Sequence, residues 1–118
     1  MKKLLFIEDD LDTIDIVRIA FDQFSDFKLV NSKTILSVEE IVAINPNVIM
    51  LDYLLSDGYG SELCTQIKQS PLTNHIPVII ISASIHLEKI IEECKADAFI
   101  PKPFDLEELL DKTNKLAI

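Results

Sequence analysis

Four short apolar runs in this chain end in groups that can handle phosphorus or a hard cation. Glu8, Asp9 and Asp10 follow the run 4–7, and Asp52 follows the run 48–51. Ser82, Ala83 and Ser84 follow 78–81, and Lys102 follows 98–100, set between Pro101 and Pro103. Carboxylates gathered at one edge repel each other, and a divalent cation relieves that repulsion. Mg²⁺ takes oxygen ligands, keeps several waters and is commonly held by one or two carboxylates plus a phosphate. An Asp carboxylate is also a nucleophile able to form an acyl phosphate. Transfer of a phosphoryl group then needs positioning and neutralisation of its oxygens, which a metal, the Lys102 ammonium and the Ser82 hydroxyl can supply.

Such groups act together only if the fold places them together. Runs without polar alternation suit strands buried on both faces, and residues 28–30 make a weaker further strand. Helical patterns lie between the runs. Ile14, Val17, Phe21 and Phe24 recur at helical spacing after Asp12. Val38, Ile41 and Val42 mark a short helix stopped before Pro46. Leu63 and Ile67 mark one ending near Pro71, and Leu87, Ile90, Ile91 and Cys94 mark a fourth. The last starts at Asp105, read as an N-cap with Glu108 as capping-box partner, and buries Leu106, Leu109, Leu110 and Thr113. The alternation βαβαβαβαβα predicts a parallel sheet covered by helices on both faces. Ligands of open parallel sheets bind outside the carboxyl ends of the strands, where the four groups stand.

Each residue has a plainer reading when taken alone. Acids after a strand cap the next helix, and Asp10 is expected to do so. Asp52 and Ser82 can be turn residues, and Lys102 a surface charge. Their order at four strand ends is what argues for a site. His75 and His86 are expected at the surface, with no base or metal cluster beside them. The glycines, Gly58 and Gly60, are too few for a phosphate-binding loop or a dinucleotide fingerprint. A calcium loop from 52 to 62 fails because Leu54 stands where a carboxylate belongs and the required glycine is missing.

The 118 residues are expected to form one domain, and 48% hydrophobic with 26% charged residues fits a globular chain. A net charge of −9 opposes binding to nucleic acid or anionic membranes. No stretch nears the roughly 20 apolar residues of a membrane helix, and the run 4–7 is too short for a signal peptide. Cys64 and Cys94 match no metal spacing and are expected as buried or half-buried, unbridged thiols of a reducing compartment, which places the protein in the cytoplasm.

Acidic pair, Asp, Ser and Lys-Pro, each closing its own strand, resemble the receiver domain of two-component response regulators over the whole chain. The resemblance implies a flavodoxin-like (βα)5 three-layer sandwich with a five-stranded parallel sheet in order 2-1-3-4-5. It implies Asp52 as phosphoacceptor and Mg²⁺, with Mn²⁺ as a substitute, held by Glu8, Asp9, Asp52 and the backbone carbonyl of Leu54. Asp9 would be the direct ligand, with Glu8 acting through water. It makes Lys102 the phosphate-binding lysine, Ser82 the switch hydroxyl and Phe99 the aromatic switch. It implies a cis Lys102–Pro103 bond and a loop closed by Gly60. Ser56 departs from a common proline, Lys95 from a common glycine, and Ser82 from the more frequent Thr. These departures bear on loop rigidity and switching, not on the acceptor chemistry.

The function implied is a phosphorylation-dependent signalling switch, not an enzyme acting on other substrates. The implied phosphodonor is a sensor histidine kinase or histidine phosphotransfer protein. Output would pass to a protein target through the face of the fourth helix, fifth strand and fifth helix, with the chain a monomer or a phosphorylation-dependent dimer. This chain is expected to hold the receiver alone, without an output domain, either as a stand-alone protein or as a piece of a longer regulator or hybrid kinase. Leu54 and Ser84 occupy the positions that tune phosphate lifetime, and apolar Leu54 predicts slow self-dephosphorylation. The rival readings are a binding module that works without phosphorylation and, more distantly, an aspartyl-phosphate hydrolase.

Overall fold

In a computed structural model, which describes residues 1–83 and 87–117, five parallel strands form the central layer. They are β1 (Lys3–Ile7), β2 (Lys28–Ser32), β3 (Val48–Asp52), β4 (Val78–Ser82) and β5 (Ala98–Pro101), and their order across the sheet is β2-β1-β3-β4-β5. The readings placed on Ser84 and His86 lie outside the described residues. So do those on the side chains of Leu87, Ile90 and Ile91.

Strand geometry explains why the runs are apolar without alternation. Successive residues point to opposite faces, and both faces here are covered. Leu5, Ile7, Ile49, Leu51 and Ile80 face one core with Leu63, Cys64 and Ile67. Leu4, Phe6, Met50, Ile79, Ile81 and Ile100 face the other with Val17, Phe21 and Leu109.

Among the described residues, five helices supply the outer layers. Helix α1 (Leu11–Phe24) is capped by Asp10, which accepts from the Thr13 amide at 3.0 Å and the Thr13 hydroxyl at 2.6 Å. Ile14, Val17 and Phe21 are buried as expected, but Phe24 is 71% exposed. It ends the helix, and Phe27 packs edge-on against Phe21 in its stead, with centroids 5.9 Å apart. Helix α2 (Val38–Ile44) buries Ile41 and leaves Val42 exposed, then stops at Asn45, in the left-handed region at φ 56 before Pro46.

Helices α3 (Gly60–Gln69), α4 (Leu87–Cys94) and α5 (Leu106–Leu116) complete the layers. The capping box expected at Asp105 and Glu108 is not formed. Asp105 accepts instead from the Glu107 amide at 2.8 Å, while Glu108 pairs with Lys112 one turn on at 3.0 Å. The reciprocal box is found at Ser37 and Glu40 of α2.

The loop expected after β3 contains a further element. After β3 the chain makes a small antiparallel hairpin of Leu54–Leu55 and Gly58–Tyr59. The Asp57 carboxylate ties it to the Ile35 amide at 3.0 Å. No described helix is long and apolar enough to cross a membrane.

Candidate metal and phosphoryl site

Register brings the strand ends together. Ile7 lies beside Leu51, Asp52 beside Ile81, and Ser82 beside Pro101. The backbone continues these pairings past the ladders, with the Tyr53 amide donating to Ile81 at 2.9 Å and the Lys102 amide to Ser82 at 2.8 Å. Glu8, Asp52, Ser82 and Lys102 therefore meet at the carboxyl edge of β1, β3, β4 and β5. The Lys102–Pro103 bond is cis.

Lys102 bridges two carboxylates, reaching Glu8 Oε1 at 3.1 Å and Asp52 Oδ2 at 3.3 Å. Glu8 is fully buried, Asp52 nearly so, and Ser82 is 3% exposed. Asp9, though next to Glu8, turns the other way. Its Oδ2 accepts from the Ser56 amide of the hairpin at 2.8 Å. Carboxylate oxygens of Glu8, Asp9 and Asp52 still lie within 4.8 Å of one another, so this acidic cluster could bind a metal ion. The donors are all hard oxygens, which suits Mg²⁺ or Mn²⁺. A divalent cation with Lys102 would balance the three carboxylates.

Charge and burial perturb these groups. Burial pushes the Glu8 carboxyl up to about 7, the neighbouring Asp52 adds to the rise, and Lys102 opposes it. The hydrogen bonds from Ser56 hold Asp9 below the usual carboxylate range. Burial works against the Lys102 ammonium, but Asp52 and Glu8 outweigh it and raise its pKa.

A pH dependence follows. Glu8 ionises near 4.5 when unfolded and near 7 when folded, so the folded metal-free chain holds the extra proton. The stability linked to Glu8 is complete below 4.5 and is lost as pH rises through about 7. The loss is on the order of 3 kcal/mol. Melting with EDTA at roughly pH 5 and pH 8 should show the lower stability at pH 8, and Glu8→Gln should flatten the slope. A flat wild-type profile would refute the assignment.

Phe99 is half-buried against the core that contains Ile80 and Cys94. Lys112 covers its ring at 5.6 Å from the centroid and donates to its carbonyl at 2.9 Å. Leu54 sits on the hairpin with its side chain exposed. Sequence reasoning missed the Ser56 amide as partner of Asp9 and Lys112 as partner of Phe99. No spacing signals the first, because any residue at 56 offers that amide. The pairing of Lys112 with Glu108 already accounts for its charge.

Fold and site together define a doubly wound α/β domain with an acidic, lysine-bridged site at the carboxyl edge of its sheet. The chain belongs to the response regulator receiver domain family, whose family model matches residues 4–114. It is thus a domain of phosphorylation-based two-component signalling. It is 29% identical to the DNA-binding dual master transcriptional regulator RpaA of Synechocystis over 98% of this chain and 49% of RpaA. It is 30% identical to the phosphate regulon transcriptional regulatory protein PhoB of Pseudomonas aeruginosa over 92% of this chain and 48% of PhoB. The chain therefore spans about half the length of these curated relatives. Among solved structures, a putative response regulator from Chloroflexus aurantiacus superposes with a TM-score of 0.90 at 21% identity, covering 98% of this chain and 97% of that one.

Proposed function

We propose that this single receiver domain is a cytoplasmic switch that takes a phosphoryl group onto Asp52. The donor is a phosphohistidine on a sensor histidine kinase or a histidine phosphotransfer protein. An Asp52 carboxylate oxygen attacks phosphorus, the N–P bond of the donor breaks, and the freed imidazole takes up a proton. The observation that carries the reading is Lys102 held between Asp52 and Glu8, with Asp9 in reach of both.

Asp9, Asp52 and the Leu54 carbonyl would hold Mg²⁺, or Mn²⁺ in its place, with Glu8 acting through water. The cation supplies charge neutralisation for the phosphoryl oxygens. Lys102 binds one phosphoryl oxygen, exchanging its contact with Asp52 for the new anion. The Ser82 hydroxyl binds another. Movement of Ser82 toward the phosphate opens space that the half-buried Phe99 ring fills, which remodels the α4–β5–α5 face presented to a protein target. Phosphorylation thereby biases a two-state equilibrium. The domain acts as a monomer or as a dimer formed on phosphorylation. Its charge of −9 suits neither nucleic acid nor an anionic membrane.

The test is intact mass after incubation with acetyl phosphate. With Mg²⁺ the chain should gain one phosphoryl group, about 80 Da, and with EDTA none. The adduct should outlast seconds, because exposed apolar Leu54 orients no attacking water. No gain despite metal binding would favour a module that works without phosphorylation. Sustained turnover of phosphate esters would favour a hydrolase.

A further inference from the structure

Three carboxylates make up the acidic cluster, and packing fixes only two of them. Glu8 and Asp52 are buried at their strand ends, whereas Asp9 is partly exposed. Its orientation is set from 47 residues away, by the Ser56 amide that donates to Oδ2 at 2.8 Å. A hydrogen bond to an ionised acceptor of this kind is about twice as strong as a neutral one.

The donor is itself held in place. Ser56 stands at the tip of the hairpin, between Leu54–Leu55 and Gly58–Tyr59. Leu55 is buried in the core, and the Tyr53 and Tyr59 rings lie 5.5 Å apart. On the far side of the tip, the Asp57 carboxylate accepts from the Ile35 amide at 3.0 Å. The hairpin lies so close to the segment before α2 that a Cβ on Gly58 would stand 2.7 Å from Ile35 Cδ1. It is a strap tied at one end to Ile35 and at the other to Asp9. The tie leaves Asp9 able to take a cation, because an ionised carboxylate has about four acceptor positions. Donors behind a ligating group aim it in advance and spare the cost of ordering it when the metal arrives.

We propose that the Ser56 backbone amide is a positioning group that aims the Asp9 carboxylate at the divalent cation, and that Asp57 anchors the hairpin carrying it. This rests on the reading of Glu8, Asp9 and Asp52 as the metal site. The amide acts through Asp9 alone. It therefore sets the Mg²⁺ concentration that the site needs, and not the extent of phosphorylation once the metal is saturating.

Ser56→Pro is the test, since proline is the residue type without an amide N–H. Proline also suits a tight turn preceded by an extended residue, as Leu55 is here. Calorimetric titration with Mg²⁺ alone, and with Mn²⁺ alone, should show binding about tenfold weaker than in the wild type. Labelling by acetyl phosphate should return to the wild-type level at saturating Mg²⁺. Ser56→Ala keeps the amide and should bind close to the wild type, while Asp57→Ala should weaken binding by a smaller factor than Ser56→Pro. Melting in EDTA shows which variants are folded. The wild type decides the matter even if Ser56→Pro is not: its Ser56 amide should exchange with solvent more slowly when Mg²⁺ is bound. Undiminished affinity in a folded Ser56→Pro, equal weakening in Ser56→Ala, or faster exchange of the Ser56 amide with Mg²⁺ would overturn the proposal. A wild type that binds neither cation would overturn the metal site itself, and this proposal with it.

Discussion

Asp52→Asn is expected to abolish the gain of about 80 Da from acetyl phosphate and Mg²⁺ while leaving the chain folded. The amide has the shape of the carboxylate but no anionic oxygen to form an acyl phosphate. Loss of label should therefore be complete and not graded. The fold should survive, because Lys102 keeps its contact with Glu8 at 3.1 Å and Asp52 packs at the strand end through atoms that Asn retains. The substitution also removes the negative charge of Asp52 that adds to the rise at Glu8, so the Glu8 carboxyl should titrate lower. Retention of the full label would remove Asp52 as the acceptor. Loss of label together with loss of the cooperative melt would be a folding defect, which circular dichroism on the same sample separates.

Gly60→Ala is expected to destabilise the chain by about 3 kcal/mol or more. A Cβ at this position would overlap the Asp52 carbonyl oxygen and stand 2.7 Å from Leu51 Cδ1. The first neighbour is backbone of a central strand and cannot yield, so overpacking here differs from crowding a flexible side chain. The Gly60 amide also donates to the Tyr53 carbonyl at 2.6 Å, which pins the start of α3 against the end of β3. The substitution would push these elements apart directly beneath Asp52. Urea unfolding should show a large drop in midpoint, and an unchanged midpoint would contradict the close approach.

The strands were legible because residues facing two cores must all be apolar, so 4–7, 48–51 and 78–81 stand out from any helical pattern. Helix interiors were legible for the same reason, as at Val17, Phe21, Leu63 and Ile67. Ends were harder to read. Asp105-x-x-Glu108 and Ser37-x-x-Glu40 have equivalent spacing, yet only the second forms the box, because Glu108 has a lysine one turn away. Phe24 obeyed the helical period but lay at the end of α1, where Phe27 from the next segment took the core position.

The sequence by itself determined which chemical groups close which strands, and so the family and the carboxyl edge as the place of the site. It left open how neighbouring acids divide their roles. Only the tertiary structure decided that Glu8 turns into the core under Lys102 while Asp9 turns out to the Ser56 amide. The reason is that strand periodicity ends at Ile7, and beyond it each side chain is aimed by contacts from β3, β5 and the hairpin, distant in sequence. Likewise only packing of α3 on α4 brings Cys64 to Cys94, since no spacing rule reaches across 30 residues.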